Sequence, residues 1–268
     1  MSNLPLTPYE AWYRNGGLST YAEVFSYNDE KAVEVELIVD RLKESIQWPA
    51  KEKLTVLDIG CGTGRFTVLL LDQFCTKIGF GCCSNVDLVD INPEAFDRFR
   101  ATASESQCAI INIRHTITAP WRLVDLGNLQ PPYQLIVADH VFYGEPLTDE
   151  LLDGLLDLTA PESVIIVTLQ RADADVFRMR EMAGIVTNRA SDISALLDHR
   201  NAKHEMLDYE SRLYYDQHND IFQNWFFATS KIGKSEQRKL LNTYTRRDED
   251  GRVYLSNHAN IFLIRGGK

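Results

Sequence analysis

The sequence predicts an α/β fold in a single domain: a mostly parallel sheet with helices on both faces, a last antiparallel strand and an inserted lid. Three observations carry that expectation. The stretch Leu54-Thr-Val-Leu-Asp-Ile-Gly-Cys-Gly-Thr-Gly-Arg-Phe66 is an apolar run, then glycines at every second position, then helix-period apolar residues at Phe66, Leu69, Leu70 and Phe74. That pattern is a buried strand, a tight turn and a helix start. Short apolar runs then alternate with amphipathic segments as far as Thr168, as parallel strands joined by crossover helices do. Beyond residue 170 the alternation loosens, and the chain closes on strand-like Val253 to Ile264.

In chain order, residues 1–27 are rich in aromatic and turn residues. A helix is predicted from Asn28, a good N-cap, with Asp29 and Glu30 in its first turn, where acids suit the helix dipole. Its apolar stripe runs through Ala32, Val33, Val35, Leu37, Ile38, Leu42 and Ile46, and Pro49 closes it. After the glycine turn and its helix, residues 75–85 form a loop insertion carrying Gly79 and Gly81. A second strand ends at Asp90 and gives way to a helix entered through Pro93. Strands follow at 109–117 and 133–138, a helix at 148–158 and a buried fifth strand at 163–168. Later come helices at 173–183, 191–199 and 235–244, a strand at 204–215 and an aromatic segment at 219–229. The expected division is a cap (1–50), a ligand-binding core (51–170), a lid (171–250) and a final strand (251–268).

Composition narrows the function. A chain of 268 residues can bury a sizeable core. Its 28 basic and 38 acidic residues leave a net charge of −10, which argues against nucleic acid, since that binding rests on Lys and Arg meeting phosphates. No N-terminal run reads as a signal peptide, and no apolar stretch approaches the ~18 residues of a membrane span. The five cysteines lack C-x-x-C spacing, so reduced thiols in a cytoplasmic protein are the expectation. The histidines show no paired ligand spacing, so no metal is expected.

The spacing in the glycine turn selects the ligand. Asp58 stands before Gly60-Cys61-Gly62-Thr63-Gly64, where a dinucleotide fold would have Gly-x-Gly-x-x-Gly. An acid at that point repels a pyrophosphate but holds the ammonium of an amino-acid-bearing cofactor. The string resembles motif I of the class I S-adenosylmethionine-dependent methyltransferases, which implies a Rossmann-like sheet and that cofactor. Asp90, at the tip of the second strand, is placed to accept hydrogen bonds from ribose hydroxyls, with Asp87 the competing acid. Ile91, Thr116 or Ile117 after the third strand, and Asp139 after the fourth would border the rest of the nucleoside.

The wider chain is similar to histamine N-methyltransferase and its small-amine-methylating relatives. The matching pieces are Phe25-Ser-Tyr-Asn-Asp-Glu30, the Phe142-Tyr143 pair, the aromatic segment around Trp225, and Val253-Tyr-Leu-Ser-Asn257 with Ile261-Phe-Leu-Ile264. The resemblance implies that Glu30 and Asn257 hold a substrate amine and that Tyr21, Tyr143 and Trp225 wall its pocket. His140, where that family has an amide, and a different aromatic set point away from histamine itself. Each residue also has a plainer role open to it: Glu30 as a dipole-matching acid, Asn257 as a strand-end residue, His140 as a loop anchor, Trp225 and Phe222 as core. The expected function is N-methylation of a small amine. The alternatives are O- or C-methylation with His140 as base, or a non-catalytic partner of the same fold.

Overall fold

The computed structural model describes residues 6–25, 28, 30–45, 53–79, 82–185, 187–216 and 220–266. The expected first-turn acid Asp29, the stripe residue Ile46, the closing Pro49, Gly81 of the loop insertion and the motif residues Ser26 and Tyr27 lie outside them. The chain opens with α1 (Pro8–Trp12), a wide turn (Tyr13–Gly17), α2 (Leu18–Phe25) and α3 (Glu30–Ser45). The glycine turn lies between β1 (Leu54–Ile59) and α4 (Arg65–Gln73). Then come β2 (Cys83–Asp90), α5 (Glu94–Ser104), β3 (Ile110–Thr118), β4 (Tyr133–Asp139), α6 (Asp149–Asp157) and β5 (Thr159–Gln170). The remainder is α7 (Asp175–Met182), α8 (Ala190–His199), β6 (His204–Tyr214), α9 (Asp220–Phe226), α10 (Lys234–Tyr244), β7 (Arg246–Arg247) and β8 (Val253–Arg265).

One sheet runs in the order β3-β2-β1-β4-β5-β8-β6, with β7 on β8. Strands β1 to β5 pair in parallel, whereas β8 is antiparallel to β5 and to β6. The chain reverses at β1, where β2 lies on one side and β4 on the other, so the carboxyl ends of β1 and β4 open a crevice, as in other doubly wound sheets. Of the span expected as a lid, β6 belongs to this sheet, and α7, α9 and α10 join α2 in a separate apolar cluster beside it.

Strand parity sorts the core into two layers, because successive side chains point to opposite faces. Leu54, Val56, Val86, Leu88, Leu135, Val137, Val164 and Ile166 pack under α3, α4 and α5. Leu57, Ile59, Val89, Ile136, Ala138, Ile165 and Val167 pack against α6 and α8. The buried face of α3 is Lys31, Glu34, Val35, Ile38, Val39 and Leu42. That corrects the expected stripe, since Ala32 and Leu37 are exposed. The stripe sits one position round the helix because its first turn meets polar strand ends, not aliphatic ones.

The cysteines also differ from expectation. Cys75 and Cys82 form a disulfide, their Cα atoms 4.8 Å apart, and Cys61, Cys83 and Cys108 are free. The wide turn Phe74–Ile78 that ends α4 carries Cys75 back toward the start of β2. Among the described residues no helix is long and apolar enough to cross a membrane.

Candidate active site

At their carboxyl ends the strands facing α3 change from aliphatic to polar without changing parity. After Val56 comes Asp58, after Leu88 Asp90, after Val137 Asp139 and after Ile166 Thr168. Gln170 on β5, Tyr209 and Ser211 on β6 and Asn257 on β8 point the same way, with Ser211 directly opposite Asn257 in the ladder. A cleft lies above these ends, with about 1220 Å3 of free space including its open mouth. Its floor is Asp58, Gly60, Cys61, Gly62, Asp90 and Ile91, and Tyr13, Tyr21 and Ala22 of the N-terminal segment lean over it. The segment is fastened across the cleft rim. Arg122 forks onto Glu10 and reaches Glu145 at 3.2 Å, and the Asn92 amide donates to the Tyr13 carbonyl at 3.2 Å.

The glycine turn is built for close approach. A Cβ on Gly60 would lie 2.4 Å from Val141, and one on Gly64 would lie 2.6 Å from Phe99. All three have the positive φ that side chains disfavour, but Gly62 (φ +52°) differs in that a Cβ there would meet nothing nearer than 3.6 Å. Backbone is thus bared toward the cleft at Gly62. The Asp90 carboxylate accepts from the Gly62 N–H at 2.9 Å and the Asn92 N–H at 2.8 Å. Asp58 accepts from the Thr67 hydroxyl at 2.7 Å. Burial pushes both acids up, Asp58 to about 7 and Asp90 to about 6. Burial likewise raises the Cys61 thiol well above its usual range, so it stands in the floor as a small apolar residue.

Asp87 has the opposite parity and a different life. It is buried under bidentate Arg114 (3.0 and 2.7 Å) and the Tyr133 hydroxyl (2.5 Å), which accounts for its charge.

Beside this floor lies a second group of polar residues. His140, at the tip of β4, has a φ of +53°. That strained turn aims its ring between α3 and the loop that follows. Its Nε2 is 3.0 Å from Glu30 and 3.1 Å from the Tyr209 hydroxyl, and its Nδ1 is 2.5 Å from the Tyr143 hydroxyl. Glu30 also accepts from the Asn257 amide at 2.8 Å and Tyr209 at 3.2 Å. Asn257 is itself fixed by Gln170 at 2.9 Å and Ser211 at 3.1 Å. Burial acts to raise Glu30, but the Lys31 charge and the hydrogen bonds from His140 and Tyr209 overcome it and hold the carboxyl at about 2. Burial raises Tyr143 and Tyr209 well above the phenol range, so both hydroxyls keep their protons. An anionic Glu30 assigns Nε2–H of His140 as the donor to it, which leaves Nδ1 to accept from Tyr143.

Lys31 completes the group. Its ammonium lies 2.6 Å from Asp139 and 3.1 Å from Glu34. Burial opposes that charge, but the two acids raise Lys31 well above its ordinary value. Burial and the nearby Asp139 push Glu34 up, and Glu34 accepts from the Thr168 hydroxyl at 2.6 Å. Ligand atoms of Glu34, Asp139 and His140 converge within 4.8 Å, but the lysine ammonium already occupies the cation position between the two acids.

A family model described as a methyltransferase domain matches residues 30–228, from the first residue of α3 through α9. The chain belongs to the methyltransferase-domain family. The fold agrees. Magnesium protoporphyrin IX methyltransferase from Synechocystis PCC 6803, solved with bound SAH, is 12% identical, with a TM-score of 0.54 over 96% of this chain and 98% of that one. A methyltransferase fold from Bacillus halodurans C-125 is 12% identical, with a TM-score of 0.52 over 86% and 99%. The plantazolicin methyltransferase BpumL, in complex with SAH, is 15% identical, with a TM-score of 0.51 over 97% and 94%. The architecture is the Rossmann-like class I methyltransferase sheet expected from the sequence. A comparison with curated proteins finds no match. Belonging to this enzyme family sets aside the non-catalytic alternative.

Within the methyltransferase the cleft gathers Asp58, Gly60, Cys61, Gly62, Asp90, Ile91, Asp139, His140, Tyr21 and Tyr143. Gly64 caps α4 behind them. Thr116 stands elsewhere, exposed on β3. The strand runs on to Thr118, so Ala119, Pro120 and Trp121 take the place expected for it. Glu30 and Asn257 do not line the cleft but stand behind His140, and Trp225 packs against Tyr21 and Phe222 in the third apolar cluster. Lys31, Glu34 and Tyr209 went unread in the sequence. Glu30 and Glu34 are one helical turn apart, the single signal that acids share the buried face of α3.

Proposed function

We propose that the chain is an S-adenosylmethionine-dependent methyltransferase for a small amine-bearing acceptor, with the proton removed through Tyr143 and His140. The observation that carries this is the Tyr143–His140–Glu30 chain at the wall of a cleft floored by Asp58, the glycine turn and Asp90. S-adenosylmethionine is the cofactor, and when bound it supplies a methyl group made electrophilic by a sulfonium. Asp58 fits its ammonium, the bared backbone at Gly62 admits its close approach, Asp90 accepts from ribose hydroxyls, and Ala119 to Trp121 border the base. Tyr21 and Tyr143 offer aromatic faces toward a cationic donor.

An amine attacks only with its lone pair free. The Tyr143 oxygen accepts the acceptor's proton as its own proton passes to Nδ1 of His140, and the imidazolium so formed is held against the Glu30 carboxylate. Asn257 and Tyr209 keep that carboxylate in place, and the fastened N-terminal segment keeps water out. Glu30 is therefore a positioning residue, not a direct holder of the amine. A relay of this kind also suits a hydroxyl acceptor, so O-methylation is the second reading, and amine and alcohol analogues of one skeleton separate the two.

The test is turnover with parallel calorimetry of cofactor binding. His140→Ala is expected to lower kcat by about 10²–10⁴-fold while cofactor binding stays within a few-fold. Glu30→Gln is expected to spare cofactor binding and move the acid limb of the rate–pH profile. Cofactor binding lost equally in both variants would contradict these roles.

A further inference from the structure

Arg180, on α7, is a buried arginine with no acid partner among the described residues. It is 9% exposed, and no hydrogen bond or ion pair engages its side chain among the described residues; its Nε atom is buried without a partner. Instead the guanidinium lies 5.3 Å from the Phe226 ring, 5.4 Å from Trp225 and 5.9 Å from Tyr143. Aromatic faces attract a cation, but they do not replace the hydrogen bond that the buried Nε–H lacks. Buried charges left in that condition are rare, because the desolvation is uncompensated. The position is telling as well. Helix α7 follows β5 at the carboxyl edge of the sheet, the same edge as the cleft, and Tyr143 touches both groups, its hydroxyl on His140 and its ring on Arg180.

We infer that Arg180 receives a carboxylate of the methyl acceptor, so that the acceptor carries an acid as well as its nucleophile. This rests on the methyl-transfer function proposed above and extends it to the substrate class. A guanidinium fork matches a carboxylate bidentately. One cation in an aromatic cage balances one negative charge. A phosphate dianion would leave a second charge uncompensated, since Lys31, the buried cation that lines the cleft on the other side of Tyr143, is already held by Asp139 and Glu34. The acceptor would then lie across Tyr143, its acid at Arg180 and its nucleophile at the Tyr143 oxygen.

The experiment uses matched pairs: histidine and histamine, phenylalanine and phenethylamine, glycine and methylamine. Each is titrated into the full chain saturated with S-adenosylhomocysteine, and each is assayed for methyl transfer. At least one acid is expected to bind about tenfold or more tightly than its amine, the usual worth of a charge-assisted pair. Arg180→Met is expected to erase that preference by raising KM for the acid while leaving the amine's constants within about twofold. The unliganded Arg180→Met protein is expected to melt at or above the wild-type temperature, because an apolar chain of similar length replaces an unpaired charge. If no acid exceeds its amine, or if Arg180→Lys and Arg180→Met weaken acid and amine alike, the proposal is overturned. A marked fall in melting temperature in Arg180→Met with the acid preference intact would assign Arg180 to the aromatic cluster and overturn it too. If S-adenosylhomocysteine itself fails to bind, the methyl-transfer function falls first, and this proposal with it.

Discussion

Asp87 and Asp90 lie three residues apart on one strand and have opposite employment, decided by which face each points to. Asp90 shares the parity of Val86 and Leu88 and arrives at the glycine turn; Asp87 faces Arg114 and Tyr133. The two acids should therefore separate cleanly on substitution. Asp90→Asn is expected to weaken cofactor binding by tenfold or more with a modest change in stability, since an amide keeps one acceptor for the backbone N–H groups. Asp87→Asn is expected to do the reverse, costing about 2 kcal/mol through the loss of one partner of a buried charged pair, with cofactor affinity unchanged. Calorimetry and urea melts on both variants decide it. The placement of Asp58, Asp90 and Asp139 was legible in the sequence, since each stands at or next to the carboxyl end of a buried apolar strand, whereas Asn257 lies within β8. Arg180 was not legible, because a lone arginine in an amphipathic helix reads as surface until its burial is seen.

At the scale of elements, the first turn of α3 is the joint between the cofactor floor and the proton relay. Glu30 faces His140, Glu34 faces Thr168, and Lys31 ties the helix to Asp139 on β4. The helix itself was legible, but its face was not: the apolar stripe begins only at Val35, and above it the buried positions are charged. Thr116 was misplaced for a similar reason, as the end of β3 lies beyond the last apolar residue that marks it. Lys31→Met removes the one cation from a buried pair of acids. It is expected to cost about 3 kcal/mol in urea unfolding, because Asp139 and Glu34 lose the partner of a largely buried ion pair. A change below about 0.5 kcal/mol, the worth of an exposed pair, would mean that the joint is held by packing alone.

For the molecule as a whole, the mostly parallel sheet with helices on both faces and an antiparallel last strand was expected from the sequence, whereas the strand order was not. What the alternation could not convey was the third cluster, where α2, α7, α9 and α10 meet, since its contacts join distant parts of the chain. The cleft's electrostatics are a property of the whole assembly. Asp58 and Asp90 are raised above their unfolded values by burial, to about 7 and about 6. Their contribution to stability is thus present at acidic pH and is lost as pH rises through 6 to 7. A bound ammonium reverses that preference by favouring the ionised Asp58. The most direct measurement is calorimetric titration of the protein with S-adenosylmethionine at pH 6 and pH 7.5, in buffers of different ionisation heat. Binding with proton release at the lower pH, and an affinity roughly five- to tenfold higher at pH 7.5, is the expected result, both effects being lost in Asp58→Asn. No binding at either pH, or binding in which Asp58→Asn behaves as the wild type, would contradict it.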